Sequence, residues 1–180
     1  MASLKRDWTR IETYYSETLK EQKFHAGLAA DNQAVIEAKR LIPKDAESIL
    51  DVGSGKFGSG FADRADVWKG VDFHWLPHKD KSFDLVWARH ALEHSPMPVF
   101  ALMEWKRVSK KYLLIVVPET IPYMAEYEGH WTCLPEYGWR ALFRKAGLRI
   151  VKFETGSWLH THSGKPEGQV LGEWRYLCQA

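Results

Sequence analysis

Apolar residues recur at helical spacing after Asp7, at Trp8, Ile11, Tyr15 and Leu19, and predict a helix capped by that acid. A second helical pattern follows Asp31, with Val35, Ala38 and Ile42 on its inner face, and stops before Pro43. The pattern then changes. A short apolar run, Ser48 to Val52, contains Asp51 and passes directly into Gly53, Gly55, Gly58 and Gly60. Such a run reads as a buried parallel strand feeding a loop that lies close to a ligand. Glycine permits positive φ and withholds the side chain that would keep a ligand away. A helix beginning after that loop would offer its free N–H groups to an anion.

Beyond the glycines, Phe61 to Val67 has no clear period, and Val71 to Phe73 reads as a small strand around Asp72. Phe83 to Ala88 predicts a second parallel strand. Ser95 and Pro96 read as a helix start, with Val99, Leu102 and Met103 as its apolar face. Tyr112 to Val117 is the most apolar strand, closed by Pro118. Pro135 opens a helix with Trp139, Leu142, Phe143 and Ala146 facing inward and Gly147 as C-cap. Leu148 to Phe153 alternates as a strand, Gly156 to Gly172 reads as a loop, and Trp174 to Cys178 forms the last strand. Helices alternating with strands predict an α/β protein whose mostly parallel sheet carries helices on both faces.

Composition narrows the class. With 180 residues the chain suits one domain, residues 1–180, in which N-terminal helices (1–47) precede a core spanning 48–180. A net charge of +2 with mixed signs provides no basic stripe, so nucleic acid is unsupported as a partner. No apolar run reaches bilayer length and the N-terminus does not resemble a signal peptide, so no membrane association and a cytoplasmic location are expected. Cys133 and Cys178 lack metal-ligand spacing and suit buried thiols in a reducing compartment. His130, His160 and His162 are candidates for a pocket rim, but no histidine trio has helix-based ligand spacing, so no metal is expected.

The order of motifs resembles the class I S-adenosylmethionine-dependent methyltransferases, and within them the methyltransferase type 11 group. Four stretches carry the likeness. Ile49 to Gly55 is similar to the family's acid-x-glycine-x-glycine loop. Asp72, Leu76-Pro77 and Ser82-Phe83-Asp84 match the family's offsets. Ala91-Leu92-Glu93-His94 leads through Glu104 and Arg107-Val108 to the strand at Tyr112, and His130-Trp131-Thr132 precedes the helix that ends at Ala146-Gly147. The resemblance implies a Rossmann-like methyltransferase fold with an antiparallel last strand. It implies S-adenosylmethionine as cofactor, S-adenosylhomocysteine as product, and a small-molecule or pendant methyl acceptor.

On the matching positions, Asp51, Gly53, Ser54 and Gly55 would hold the amino-acid end of the cofactor. Asp72 would hold a ribose hydroxyl or the adenine amino group, with Phe73 and Leu76 as ring contacts. Arg89 would meet an anionic group, or is a solvated charge. His90 and His94, where family members face the substrate, are the candidate bases. Gly53→Arg is expected to abolish cofactor binding and spare the fold.

Two departures stand out. Phe57 occupies the place of the family's third glycine. The interval from Gly55 to Phe83 is short for a further strand and helix, so one strand-helix unit, with its ribose-binding acid, is expected to be missing or collapsed. Asp63 and Asp66 are substitutes for that acid, or surface charges. The shortening supports an alternative: a reduced methyltransferase-fold protein that binds a ligand or partner without catalysis. A truncated sheet would also expose an edge for a second copy, as in a homodimer. Gly53, Gly55 and Gly58 also spell the dinucleotide fingerprint G-x-G-x-x-G, but a second mononucleotide half is lacking.

Overall fold

The computed structural model describes residues 33–53, 64–66, 74–126, 129–160 and 169–180. The helix α1 (Gln33–Lys39) buries Ala34, Val35 and Ala38, on the face predicted after Asp31. It is followed by β1 (Ile49–Val52), β2 (Arg64–Asp66), β3 (Phe83–Arg89), a 3-10 turn (Leu92–His94), α2 (Pro98–Val108) and β4 (Ser109–Pro118). A single-turn α3 (Pro122–Ala125), α4 (Glu136–Lys145), β5 (Arg149–His160) and β6 (Gln169–Gln179) complete the described elements. One sheet joins all six strands in the order β2-β1-β3-β4-β6-β5. The first four are parallel, and β6 runs antiparallel to both of its neighbours.

Strand parity sorts the side chains onto two faces. Leu50 and Val52, Val86 and Ala88, Leu113, Ile115 and Val117, and Tyr176 and Cys178 point into the larger core, where Leu102 and Trp105 of α2 and Trp139 and Phe143 of α4 cover them. Ile49, Leu85, Trp87, Leu114, Val116 and Leu177 point the other way, against Val35, Ala38 and Leu41. Parity also puts Asp51, Arg89, Glu173 and Arg175 on this α1 side. β3, buried from Phe83 to Ala88, is apolar on both sides because helices cover both.

Several boundaries depart from the sequence reading. Where a strand-helix unit is expected to be missing or collapsed, a three-residue strand, β2, lies inside the stretch that showed no period and pairs with β1 from Leu50↔Arg64 to Val52↔Asp66. Ser95 does not cap α2, which starts at Pro98 after Met97. Its hydroxyl instead accepts from the Met97 N–H at 3.1 Å and bonds His74 Nε2 at 2.7 Å. The glycines at 156 and 172 lie within β5 and β6, which form a long antiparallel pair rather than flanking a loop that begins at Gly156. Each marks a crossing side chain: the Arg175 guanidinium occupies the space over Gly156, and the Glu119 carboxylate the space over Gly172. The expected Trp8–Leu19 helix and the Val71–Phe73 strand lie outside the described residues.

Glu104 and Arg107, two of the residues that carry the resemblance, build structure. Glu104 accepts the Leu76 N–H at 2.8 Å, and Arg107 donates to Glu104, Asp80 and the carbonyls of Leu76 and His78. This clamp on α2 holds the segment entering β3, with Leu76 buried in the larger core.

Candidate functional site

The chain leaves β1 towards β2 on one side and returns to β3 on the other, so the strand order reverses at β1/β3. In an open parallel sheet, that reversal opens a crevice beyond the carboxyl ends of the strands, where ligands bind. Three predicted residues lie at these strand ends. Asp51 is 2 % exposed, in register with Trp87 of β3. Gly53 turns the chain out of β1 with φ of 73°, a conformation that favours glycine. A Cβ at Gly53 would lie 2.5 Å from the Ala91 Cβ, so the turn after β1 packs directly on the turn after β3. Asp66 ends β2 opposite Val52, bringing an acid to the neighbouring strand end. Ser54, Gly55, Asp72 and Phe73 lie outside the described residues.

At the end of β3, Arg89 is not a solvated charge. Its Nη2 pairs with Glu173 Oε2 at 2.9 Å, and both side chains are buried. Arg175 Nε donates to the other oxygen of Glu173 at 2.8 Å, and its Nη1 and Nη2 donate to Glu37 of α1 at 3.2 Å. Glu173 thus sits between two guanidinium groups. Burial works against its charge, but the His90 hydrogen bond and the Arg89 charge outweigh it and hold the pKa at about 2. With its charge met by Glu173, Arg89 is poorly suited to be the main receptor of a ligand anion.

His90 has φ of 51°, a strained value for a residue with a side chain, and its N–H donates to Val116 at 2.9 Å. This directs Nε2 to Glu173 Oε2 at 3.1 Å. Burial, reinforced by the Arg89 charge, lowers its pKa to about 4, so the ring is neutral at neutral pH. A carboxylate only accepts, so Nε2 carries the hydrogen and Nδ1 the lone pair.

His94 ends the 3-10 turn. Its Nδ1 lies 2.7 Å from the Gly129 carbonyl, and a carbonyl only accepts, so Nδ1 donates and Nε2 keeps the lone pair. Burial and the nearby His130 push its pKa down to about 3. The His94 and His130 rings meet edge to face at 4.8 Å.

Glu93 of the Ala91–His94 motif is 1 % exposed, and no other described residue donates a hydrogen bond to its carboxyl oxygens. Burial raises its pKa to about 8. The Thr132 N–H donates to the Glu93 carbonyl at 3.0 Å and the Thr132 hydroxyl to the Ser95 carbonyl at 2.7 Å. These bonds pin the His130–Thr132 segment to the turn. Donor atoms of Glu93, His94 and His130 lie within 4.8 Å of one another, a juxtaposition that spacing along the chain does not show. Glu37, Glu173 and Arg175 were also missed, because their meeting depends on strand register.

Among known proteins, the methyltransferase-domain family profile matches residues 60–116, from the end of the glycine loop through most of β4. No curated protein sequence is significantly similar. Similar solved structures include a Bacillus halodurans protein provisionally described as a methyltransferase, with TM-score 0.61, 16% identity, and coverage of 82% of this chain and 98% of that one. A S-adenosylmethionine-dependent methyltransferase from Aquifex aeolicus has TM-score 0.56, 17% identity, and coverage of 89% and 97%. The [4+2]-cyclase SpnF has TM-score 0.58, 17% identity, and coverage of 81% and 78%. Among the described residues, no helix is long and apolar enough to cross a membrane. The sheet and the matched segment together identify the chain as a protein of the class I methyltransferase fold, similar to the methyltransferase type 11 group.

Proposed function

We propose that this protein transfers a methyl group from S-adenosylmethionine to a small molecule or to a pendant group on a larger one. The observation that supports this reading is the reversal of strand order at β1/β3, where a buried acid near the end of β1 is followed by a positive-φ glycine that turns the chain out of the strand. These residues fit the cofactor's amino-acid end. Asp51 offers a carboxylate for an ammonium, directly or through water, and Gly53 bends the main chain out of the strand. Ser54 and Gly55 continue the loop in this reading, Asp66 or Asp72 meets the ribose or adenine, and Phe73 lies against the ring, whereas Leu76, expected beside it, is buried in the larger core.

When bound, the cofactor supplies a methyl group activated by a sulfonium. This chain's residues hold the acceptor in line and, where the acceptor must lose a proton, take it. His90 and His94 are neutral imidazoles beside the crevice and are the candidate bases, with Glu173 as the positioning residue for His90. Trp131, 51 % exposed on the segment after α3, suits a planar or apolar acceptor. A cytoplasmic location and a homodimer formed through a sheet edge belong to the same reading.

A second reading is a reduced methyltransferase-fold protein that binds a ligand or partner without catalysis; that the fold is not tied to methyl transfer is supported by its likeness to a protein named as a [4+2]-cyclase. Calorimetric titration with S-adenosylmethionine and S-adenosylhomocysteine separates the two. Saturable one-to-one binding, weakened roughly ten- to a hundredfold in Asp51→Asn, is the expected result, the size set by loss of a hydrogen bond to a charged group. No heat and no thermal stabilisation with either ligand, from folded protein, would sink the methyltransferase reading.

A further inference from the structure

We propose that Glu93, His94 and His130 form a binding site for one divalent transition-metal ion. One donor atom from each side chain lies within 4.8 Å of the others. Small side-chain rotations close that span around an ion with bonds of about 2.0–2.2 Å.

A carboxyl group that is 1 % exposed and receives no hydrogen bond from any other described residue is expensive to bury. An ion bound there satisfies it. His94 is also arranged as a metal-bound histidine is: one ring nitrogen, Nδ1, donates to a backbone carbonyl at 2.7 Å, which orients the ring and leaves Nε2 with its lone pair.

The scaffold holds these groups in place. Glu93 and His94 are consecutive residues of the 3-10 turn after β3, and Thr132 ties the strand-end turn to the segment bearing His130 by two hydrogen bonds. The nearby Arg89 guanidinium is countered by Glu173 at 2.9 Å, which moderates its repulsion of a cation. Two imidazoles and a carboxylate favour Zn²⁺, Co²⁺, Fe²⁺ or Mn²⁺ over Mg²⁺ and Ca²⁺, which prefer all-oxygen donors.

Three protein donors leave positions open for water or an acceptor oxygen. That use of the ion rests on the methyltransferase reading, with His90 alone as candidate base because the His94 lone pair is then taken by the ion. Binding of the metal by itself does not rest on that reading. The test therefore uses full-length protein stripped with chelator, in the absence of S-adenosylmethionine. Titration with Co²⁺ should develop a visible d–d absorption band saturating at one equivalent, displaced by Zn²⁺ and unaffected by Mg²⁺. Glu93→Gln and His130→Ala should each weaken Co²⁺ binding at least tenfold while circular dichroism stays native. If Glu93→Gln does not fold, His130→Ala carries the comparison. A spectrum without a saturable band, or undiminished binding in a folded variant, would overturn the site, whatever the result of the cofactor titration.

Discussion

Gly53 shows how one residue serves two masters. Its φ of 73° turns the chain towards the crevice, and its missing Cβ leaves room for Ala91, which a side chain would approach to 2.5 Å. The expectation that Gly53→Arg removes ligand binding and spares the fold does not survive this contact. Gly53→Ala should destabilise the protein by about 1–3 kcal/mol, from positive-φ strain and the clash together. Adding Ala91→Gly should recover part of that loss, because it relieves the clash and leaves the strain. Equal urea midpoints for Gly53→Ala and the double variant would show that the contact carries no energy. His90, also at positive φ, gave no such signal in the sequence, since an ordinary side chain there is held by Glu173 and Val116 from other strands.

Among the elements, β1 and β3 are joined at their starts by a reciprocal clasp. Asp84 Oδ2 accepts from the Glu47 N–H, the Ser48 N–H and the Ser48 hydroxyl at 3.0–3.1 Å, while the Asp84 N–H donates back to the Ser48 Oγ at 2.9 Å. Burial opposes the charge, but the Ser48 and Glu47 hydrogen bonds prevail and lower the Asp84 pKa to about 2. A carboxylate depressed from 3.8 to about 2 contributes stability that is present above its unfolded pKa and is lost as pH falls through the folded one. Asp84→Ala should therefore cost about 1–3 kcal/mol at pH 7, with the gap to the wild type closing between about pH 4 and pH 2. Urea melts across that range check it, and a gap independent of pH would remove the carboxylate from the clasp. Phe83 to Ala88 was readable as a strand, but the role of Asp84 was not: its partners lie before β1, and nothing local announces them.

Across the whole molecule, α1, β6 and β3 are tied by the row Glu37, Arg175, Glu173 and Arg89. The sheet register requires it. Arg89 pairs with Val116 and Val116 with Arg175, which sets the two guanidinium groups on one face, two strands apart, with Glu173 between them. Glu173→Gln leaves two buried cations without their shared anion and should cost roughly 3–5 kcal/mol, with little sensitivity to salt. A loss under about 1 kcal/mol in urea unfolding would mean the network is not stabilising. Since the same carboxylate positions His90, the variant should also shift any pH profile of activity that depends on that ring.

The sequence by itself determined the local features: α1's buried face, the strand character of β1, β3 and β4, the turn at Gly53, the α4 helix ending near Gly147, and the order of motifs that marks the fold. Each of these is carried by the spacing of neighbouring residues and by backbone preference. The tertiary structure decided what depends on register and on chain return. It placed β2 beside β1, extended β5 and β6 through their glycines, paired Arg89 internally, and brought His130 to Glu93 and His94. A three-residue strand is too short to show a period, and a buried charge takes its partner from whichever strand the sheet sets beside it. Those choices are made by pairing across space, which spacing along the chain does not encode.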